Sequence, residues 1–263
     1  MTDRGNSILI YGRSKLGKTV DTAYAFQRAF WILTEPGALV SVPACLGYMP
    51  KHKIEILDIS SPYMEAKGAI EKHVLPGIKS GAISSVVIDT ASELTDRMLG
   101  AELERVKDPR QAYQSVTNNF KRLIRMILKE KAWVIAICHE SAPSTDDSGA
   151  FHPGGPLFPG KGLIQSVPSL FDTILRADVE MGRRVYRCDP LSPLWRMGDR
   201  SNVTTSVQPM ELAVLVFKML HPGQVPPPGT VKQIIGGETA PMVGAATAPV
   251  AGAATAPVVG AKG

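Results

Sequence analysis

Eight consecutive residues, Gly12-Arg13-Ser14-Lys15-Leu16-Gly17-Lys18-Thr19, have the types and spacing that hold a polyphosphate. The two glycines let the backbone turn and approach closely, so successive N–H groups can point inward at an anion. Lys18 is placed to reach the β- and γ-phosphates, and the Thr19 hydroxyl to ligate Mg²⁺. A carboxylate must complete that metal site, and Asp89, closing the apolar run Ser85-Val-Val-Ile-Asp89, can do so directly or through water. Asp89 is followed by Thr90 and not by a glutamate, so a group that activates water must come from elsewhere. Glu35, at the end of Phe30-Trp-Ile-Leu-Thr34 and just before Pro36-Gly37, is the candidate base, a role worth about 10²–10⁴-fold in rate. Its alternative is a surface glutamate in a turn. His139, after Lys131-Ala-Trp-Val-Ile-Ala-Ile-Cys138, is either a sensor that hydrogen-bonds the γ-phosphate or an ordinary strand-end histidine. ATP and Mg²⁺ are the cofactors this set implies.

The elements that must position these groups follow from apolar patterning. Ser7-Ile-Leu-Ile-Tyr11 is a short apolar run suited to a buried parallel strand, and it leads straight into Gly12. A helix is expected over 19–30, its N-terminal dipole adding to anion binding. The runs at 30–34, 85–89 and 131–138 are further buried strands, whose carboxyl ends share one edge of a parallel sheet, where ligands of open α/β sheets sit. Amphipathic helices are expected over 92–110, with Leu94, Met98, Leu99, Leu103 and Val106, and over 111–131, with Phe120, Leu123, Ile124, Ile127 and Leu128. Lys121, Arg122, Arg125, Lys129 and Lys131 accompany the latter as a solvated face or a phosphate-binding stripe. The segment 141–162, rich in Gly, Pro, Ser and Asp, reads as a long loop, functional or mobile. Arg176 to Met181 and Arg183 to Arg187 alternate as the two strands of a hairpin.

The chain of 263 residues, 44% hydrophobic and 20% charged, is large enough for one sizeable core and excludes a disulfide-stapled miniprotein or a wholly disordered chain. Its 29 Lys and Arg against 24 Asp and Glu, a net charge of +5, permit an anionic partner without demanding one. Cys45, Cys138 and Cys188 lie far apart in no metal-ligand spacing, which suits thiols in a reducing compartment. The first residues lack the basic-then-apolar order of a secretory signal, so a cytoplasmic location is expected. From Pro222 onward the chain is rich in Pro and Gly, with only Lys232, Glu238 and Lys262 charged. We therefore expect a globular domain over 1–221 and a flexible tail over 222–263. Residues 239–262 repeat an octapeptide three times: TAPMVGAA, TAPVAGAA, TAPVVGAK. Pro241, Pro249 and Pro257 interrupt any helix there, so a tether and not a membrane span is expected.

Together these residues resemble the RecA-like P-loop ATPases and, within them, small phage-type nucleotide-binding proteins of single-strand annealing and recombination. The resemblance runs from about Ser7 to Leu220. It rests on GRSKLGKT at 12–19, LTE at 33–35, VVIDT at 86–90, ICHE at 137–140, FPGK at 158–161, VPSLFD at 167–172 and GDR at 198–200, of which only the first is strongly specific. It implies a three-layer α/β fold with a mainly parallel central sheet, in which one inserted strand separates the strands leading to Gly12 and Asp89. It also implies DNA-stimulated ATP hydrolysis with Glu35 activating water, a homo-oligomeric ring or filament, and single-stranded DNA held by 141–165. Arg200, and less firmly Lys161, would be fingers acting on a neighbouring subunit's γ-phosphate, a device worth about 10³–10⁵ in rate in well-studied P-loop systems. Two features depart from the pattern: no separate DNA-binding domain is evident, and the loop carries Lys161 as its one Lys or Arg, with Asp146, Asp147, Phe151 and Phe158. A small-metabolite kinase, with Arg183, Arg184 and Arg187 as its lid, and a non-catalytic ATP-binding assembly module are the alternatives.

Overall fold

The computed structural model describes residues 6–26, 28–46, 53–55 and 61–226. The octapeptide repeat and nearly all of the expected tail lie outside the described residues. The first half of the chain alternates strands with helices. It runs through β1 (Ser7–Tyr11), α1 (Lys18–Ala25), β2 (Ala29–Leu33), α2 (Pro36–Leu46), β3 (Lys53–Glu55), α3 (Pro62–Ala69), a π-helical turn (Ile70–Val74) and α4 (Leu75–Lys79). It continues with β4 (Ser85–Asp89), α5 (Ala91–Arg105), α6 (Pro109–Lys129) and β5 (Trp133–Cys138). Four two-residue strands follow, β6 (Glu140–Ser141), β7 (Ser144–Thr145), β8 (Phe151–His152) and β9 (Gly155–Pro156). The chain then forms α7 (Lys161–Ser166), β10 (Thr173–Glu180), β11 (Arg183–Arg187), β12 (Gly198–Asp199), β13 (Val207–Pro209) and α8 (Leu212–Leu220).

Among the described residues the main sheet has nine strands in the order β13-β11-β10-β1-β5-β4-β2-β3, with β12 also paired to β10. All neighbours from β10 through β3 are parallel, and β11, β12 and β13 add antiparallel pairs at one side. β5 lies between β1 and β4, the one-strand separation expected between the Gly12 and Asp89 strands.

Successive side chains on a strand point to opposite faces, and this period builds two cores. Ile8 and Ile10 join Trp31, Val87 and Ile135 under α1, α2 and α8, whereas Leu9 and Tyr11 join Ile32, Val86, Ile88 and Val134 under α3, α5 and α6. The result is an α/β fold with helices on both faces of a mixed, mostly parallel sheet. No helix among the described residues is long and apolar enough to cross a membrane.

Local boundaries move where tertiary pairing competes with periodicity. α1 stops at Ala25 and not at residue 30, because Ala29 to Leu33 are taken into β2 between β4 and β3. α6 starts at Pro109, two residues earlier than its apolar stripe suggests; Asp108 Oδ1 accepts the Arg110 N–H at 2.9 Å and proline suits the first helical position. The segment 141–162 is not structureless, since β6 pairs β9 and β7 pairs β8. Cys138 and Cys188 are free and buried.

Candidate active site

The ends of β1, β2, β4 and β5 bring their following residues to one edge of the sheet. After Tyr11 the chain turns at Gly12, where a Cβ would stand 2.6 Å from the Ala177 carbonyl oxygen. Gly17, at φ 90°, is the N-cap of α1 and offers it no side-chain cap, so the first amides of the helix remain available to an anion. Lys18 is buried and its Nζ donates to the carbonyls of Gly12 and Arg13 at 2.8 and 2.7 Å, which closes the loop on itself. Burial lowers the Lys18 pKa, with the charge of Asp89 opposing. Arg13, Ser14 and Lys15 are exposed, Leu16 is half-buried, and Arg13 Nε donates to Glu140 Oε1 at 3.3 Å.

Asp89 is 2% exposed, in register with Leu33 on one side and Ile137 on the other. Burial raises its pKa to about 6 against a hydrogen bond from the Thr19 side chain, and its Oδ2 has no hydrogen-bond partner. A hydroxyl beside a buried carboxylate with one oxygen unsatisfied fits Mg²⁺, which takes few protein ligands and keeps several waters beside substrate phosphates. Among the described residues no cluster of three or more His, Cys, Asp or Glu could hold a metal ion.

Glu35 is held by two side chains at one oxygen. Its Oε1 accepts the Thr90 hydroxyl at 2.8 Å and lies 2.6 Å from His139 Nε2. The His139 hydrogen bond, aided by Thr90, keeps the Glu35 carboxyl below its ordinary pKa despite partial burial, and the same bond raises His139. Thr90 is itself fixed: its N–H donates to Thr34 Oγ1 at 2.8 Å, Thr34 Oγ1 donates to its carbonyl at 3.0 Å, and its own hydroxyl caps α5. The backbone N–H of His139 donates to Ser92 Oγ at 3.0 Å, and Ser92 Oγ donates to the Leu157 carbonyl at 2.7 Å. The loop at 12–17, Lys18, Thr19, Glu35, Asp89 and His139 therefore form one site.

This arrangement of a phosphate loop with carboxylates at the ends of parallel strands agrees with a family match over residues 4–201, to a model described as an AAA domain. The chain belongs to this AAA-domain family. The family is one of P-loop ATPases, which implies ATP binding. Among solved structures, the AAA-domain protein is similar to the crystal structure of the RadB recombinase, with a TM-score of 0.44, 18% identity, and coverage of 70% of this chain and 80% of that one. No curated protein matches the sequence.

Arg200 does not join the site within one chain of the AAA-domain protein. It lies near the start of β10, at the opposite sheet edge, where its N–H donates to the Asp172 carbonyl at 2.8 Å and its Nη2 to the Ser169 carbonyl at 3.2 Å. Lys161 is exposed on the first turn of α7. Phe158 is not available for stacking on a base, since it is buried against Phe120, whereas Phe151 is 48% exposed. Tyr186 is also core, donating its hydroxyl to Asp21 Oδ2 at 2.6 Å. The arginine cluster of β11 is divided: Arg187 pairs with Asp178 and Glu180, while Arg183 and Arg184 are exposed.

Several residues that shape the site were not singled out by sequence. Thr90 orients Glu35, and its signal was its place directly after Asp89. Ser92 ties the end of β5 to Leu157, with no local pattern to mark it. Glu140 bridges Arg13 of the loop and Arg176 of β10, at 3.3 and 3.1 Å; its signal was adjacency to His139.

Proposed function

We propose that this AAA-domain protein hydrolyses ATP with Mg²⁺, and that hydrolysis is coupled to single-stranded DNA in phage-type recombination, annealing or replication. Residues 12–19 bind the phosphates, with Lys18 on the β- and γ-phosphates, and Thr19 and Asp89 ligate the metal. The observation that carries the reading is Glu35, held by Thr90 and His139 at the sheet edge that also carries Lys18 and Asp89. A carboxylate turned away from the loop would have favoured the non-catalytic module.

Mg²⁺, when bound, neutralises charge on the β- and γ-oxygens. The residues of the chain do the rest. Glu35 accepts a hydrogen bond from the attacking water and takes its proton as the water oxygen bonds to the γ-phosphorus and the bridging oxygen leaves with ADP. A carboxylate of lowered pKa is a weak base but a firm orienter, which suits a reaction governed by positioning and electrostatics. His139 shares Glu35 Oε1 with Thr90 and exchanges that bond for one to the γ-phosphate. Arg200, or Lys161, then acts in trans in a homo-oligomer, and 141–165 contacts DNA, with Phe151 as its exposed aromatic.

ATPase activity measured with and without single-stranded DNA tests this reading. Activity should rise with DNA and fall at least about 100-fold in Lys18→Ala; unchanged turnover in that variant would sink the assignment. Phosphate transferred to an added nucleoside, in place of release as free phosphate, would make the protein a kinase.

A further inference from the structure

β1 divides the phosphate site into two flanks. Toward β5 stand Asp89, Glu35 and His139. Toward β10 stands a hairpin that continues past the end of β1. Tyr11 pairs with Arg176, and β10 then runs on through Ala177, Asp178, Val179 and Glu180 before turning at Met181-Gly182, at φ 49° and 76°. Both positive angles suit a two-residue hairpin turn. At about 3.3 Å per residue the hairpin extends roughly 13 Å beyond the last residue of β1, beside the loop.

Arg184 on β11 pairs with Val179, on the face that also carries Ala177 and Tyr186. That face packs toward α1, where Tyr186 meets Asp21. Arg184 therefore reaches the loop: its Nη1 lies 2.7 Å from where a Cβ on Gly17 would stand, while the φ of 90° is what favours a glycine at that position. Two other arginines of the hairpin are neutralised. Arg176 pairs with Glu140 and Asp178 and lies 3.7 Å over the Trp195 ring, and Arg187 pairs with Asp178 and Glu180. Arg184 has no acidic partner among the described residues. An unpaired guanidinium over the uncapped N-terminus of α1, near Lys18, adds positive charge to positive charge. An anion seated between them reverses the sign of that interaction.

We propose that Arg184 is a cis nucleotide-binding residue that contacts the α-phosphate and ribose end of ATP. This rests on the ATP reading above, which directs the γ-phosphate toward Glu35 and His139 and so turns the nucleoside end toward the hairpin. Arg184 there touches a part of ATP that hydrolysis leaves unchanged. It binds ground state and transition state alike, which sets Kd and KM without altering kcat.

Calorimetric titration of the full chain with ATP and ADP, beside steady-state hydrolysis, tests this for wild type, Arg184→Ala, Arg184→Lys and Lys18→Ala. Arg184→Ala should weaken ATP and ADP by a similar factor, roughly tenfold for loss of one charge-assisted contact, with kcat within about twofold. Arg184→Lys should recover part of the affinity, which a merely structural defect would not do. Unchanged affinity in Arg184→Ala, with Lys18→Ala impaired, overturns the role of Arg184 alone. A fall in kcat at saturating ATP with unchanged Kd overturns it too, by moving the contact to the γ-phosphate. Normal ATP binding by Lys18→Ala overturns the ATP reading itself.

Discussion

Asp199, where β12 meets the first residues of β10, and Asp89, at the far end of β4, are acids at opposite edges of one sheet. Asp199 Oδ1 accepts from Thr173 Oγ1, Ser201 N and Ser201 Oγ at 2.8, 2.9 and 2.6 Å. Its Oδ2 accepts from Val203 N, Thr204 N and Thr204 Oγ1 at 3.1, 3.1 and 3.0 Å. Burial alone would raise its pKa, but these donors together bring it below the ordinary value. Asp89 has an oxygen with no donor, and burial dominates, raising it to about 6. A carboxylate saturated with protein donors is part of the frame. One left short of donors keeps its lone pairs for a ligand, and lowers the stability of the free protein by doing so.

The comparison is sharpened first by Glu35, which shares the Asp89 edge. Glu35→Gln should slow hydrolysis by about 10²–10⁴-fold while nucleotide binding is retained; equal rates would move the base elsewhere. Its effect on stability should be about 1 kcal/mol or less, because both partners are partly exposed. The lowered Glu35 contributes above its unfolded value of 4.5 and loses that contribution as pH falls through its folded pKa. The raised His139 contributes fully below its unfolded value of 6.5 and loses that contribution as pH rises through its folded pKa. The stability difference between wild type and Glu35→Gln should therefore be largest between about pH 4.5 and 6.5 and shrink toward pH 9 in denaturant melts.

At the other edge the expected effects exchange places. Asp199→Ala should cost about 2–4 kcal/mol in urea unfolding, since it strands donors from Thr173, Ser201, Val203 and Thr204. A loss below about 0.5 kcal/mol would remove Asp199 from the frame. Asp89→Asn should have a smaller effect on stability than Asp199→Ala and the opposite sign. With a folded pKa of about 6 above the unfolded 3.8, the favourable contribution of protonated Asp89 is present below 3.8 and lost as pH rises through about 6. At pH 8 the neutral amide should thus stabilise the free protein by about 1 kcal/mol, and this gain should vanish near pH 4. Destabilisation at pH 8 would break the contrast.

The legible part of the site was local. Residues 12–19 sit between an apolar run and a helix within one short stretch, and the runs ending at Asp89 and Cys138 declared themselves buried strands. The pairing of Glu35 with His139 joins residues 104 apart, and nothing near either one encodes the other. Phe151 and Phe158 looked equivalent in a loop without periodicity. Only the packing of α6, through Phe120, assigned Phe158 to the core.

Sequence by itself determined the chemistry that can occur: a phosphate loop, a candidate metal-binding acid, a candidate base, and the strands and helices whose period carries them. These depend on residue type and on spacings within a few residues, where chain geometry leaves little freedom. Tertiary structure decided which groups meet and in what electrostatic state. The strand order, with β4 flanked by β5 and β2, brings His139 to Glu35, and the hairpin of β10 and β11 brings Arg184 over Gly17. Donor supply then separates Asp89 from Asp199, because a carboxylate's role depends on the groups folded around it and not on its own place in the chain.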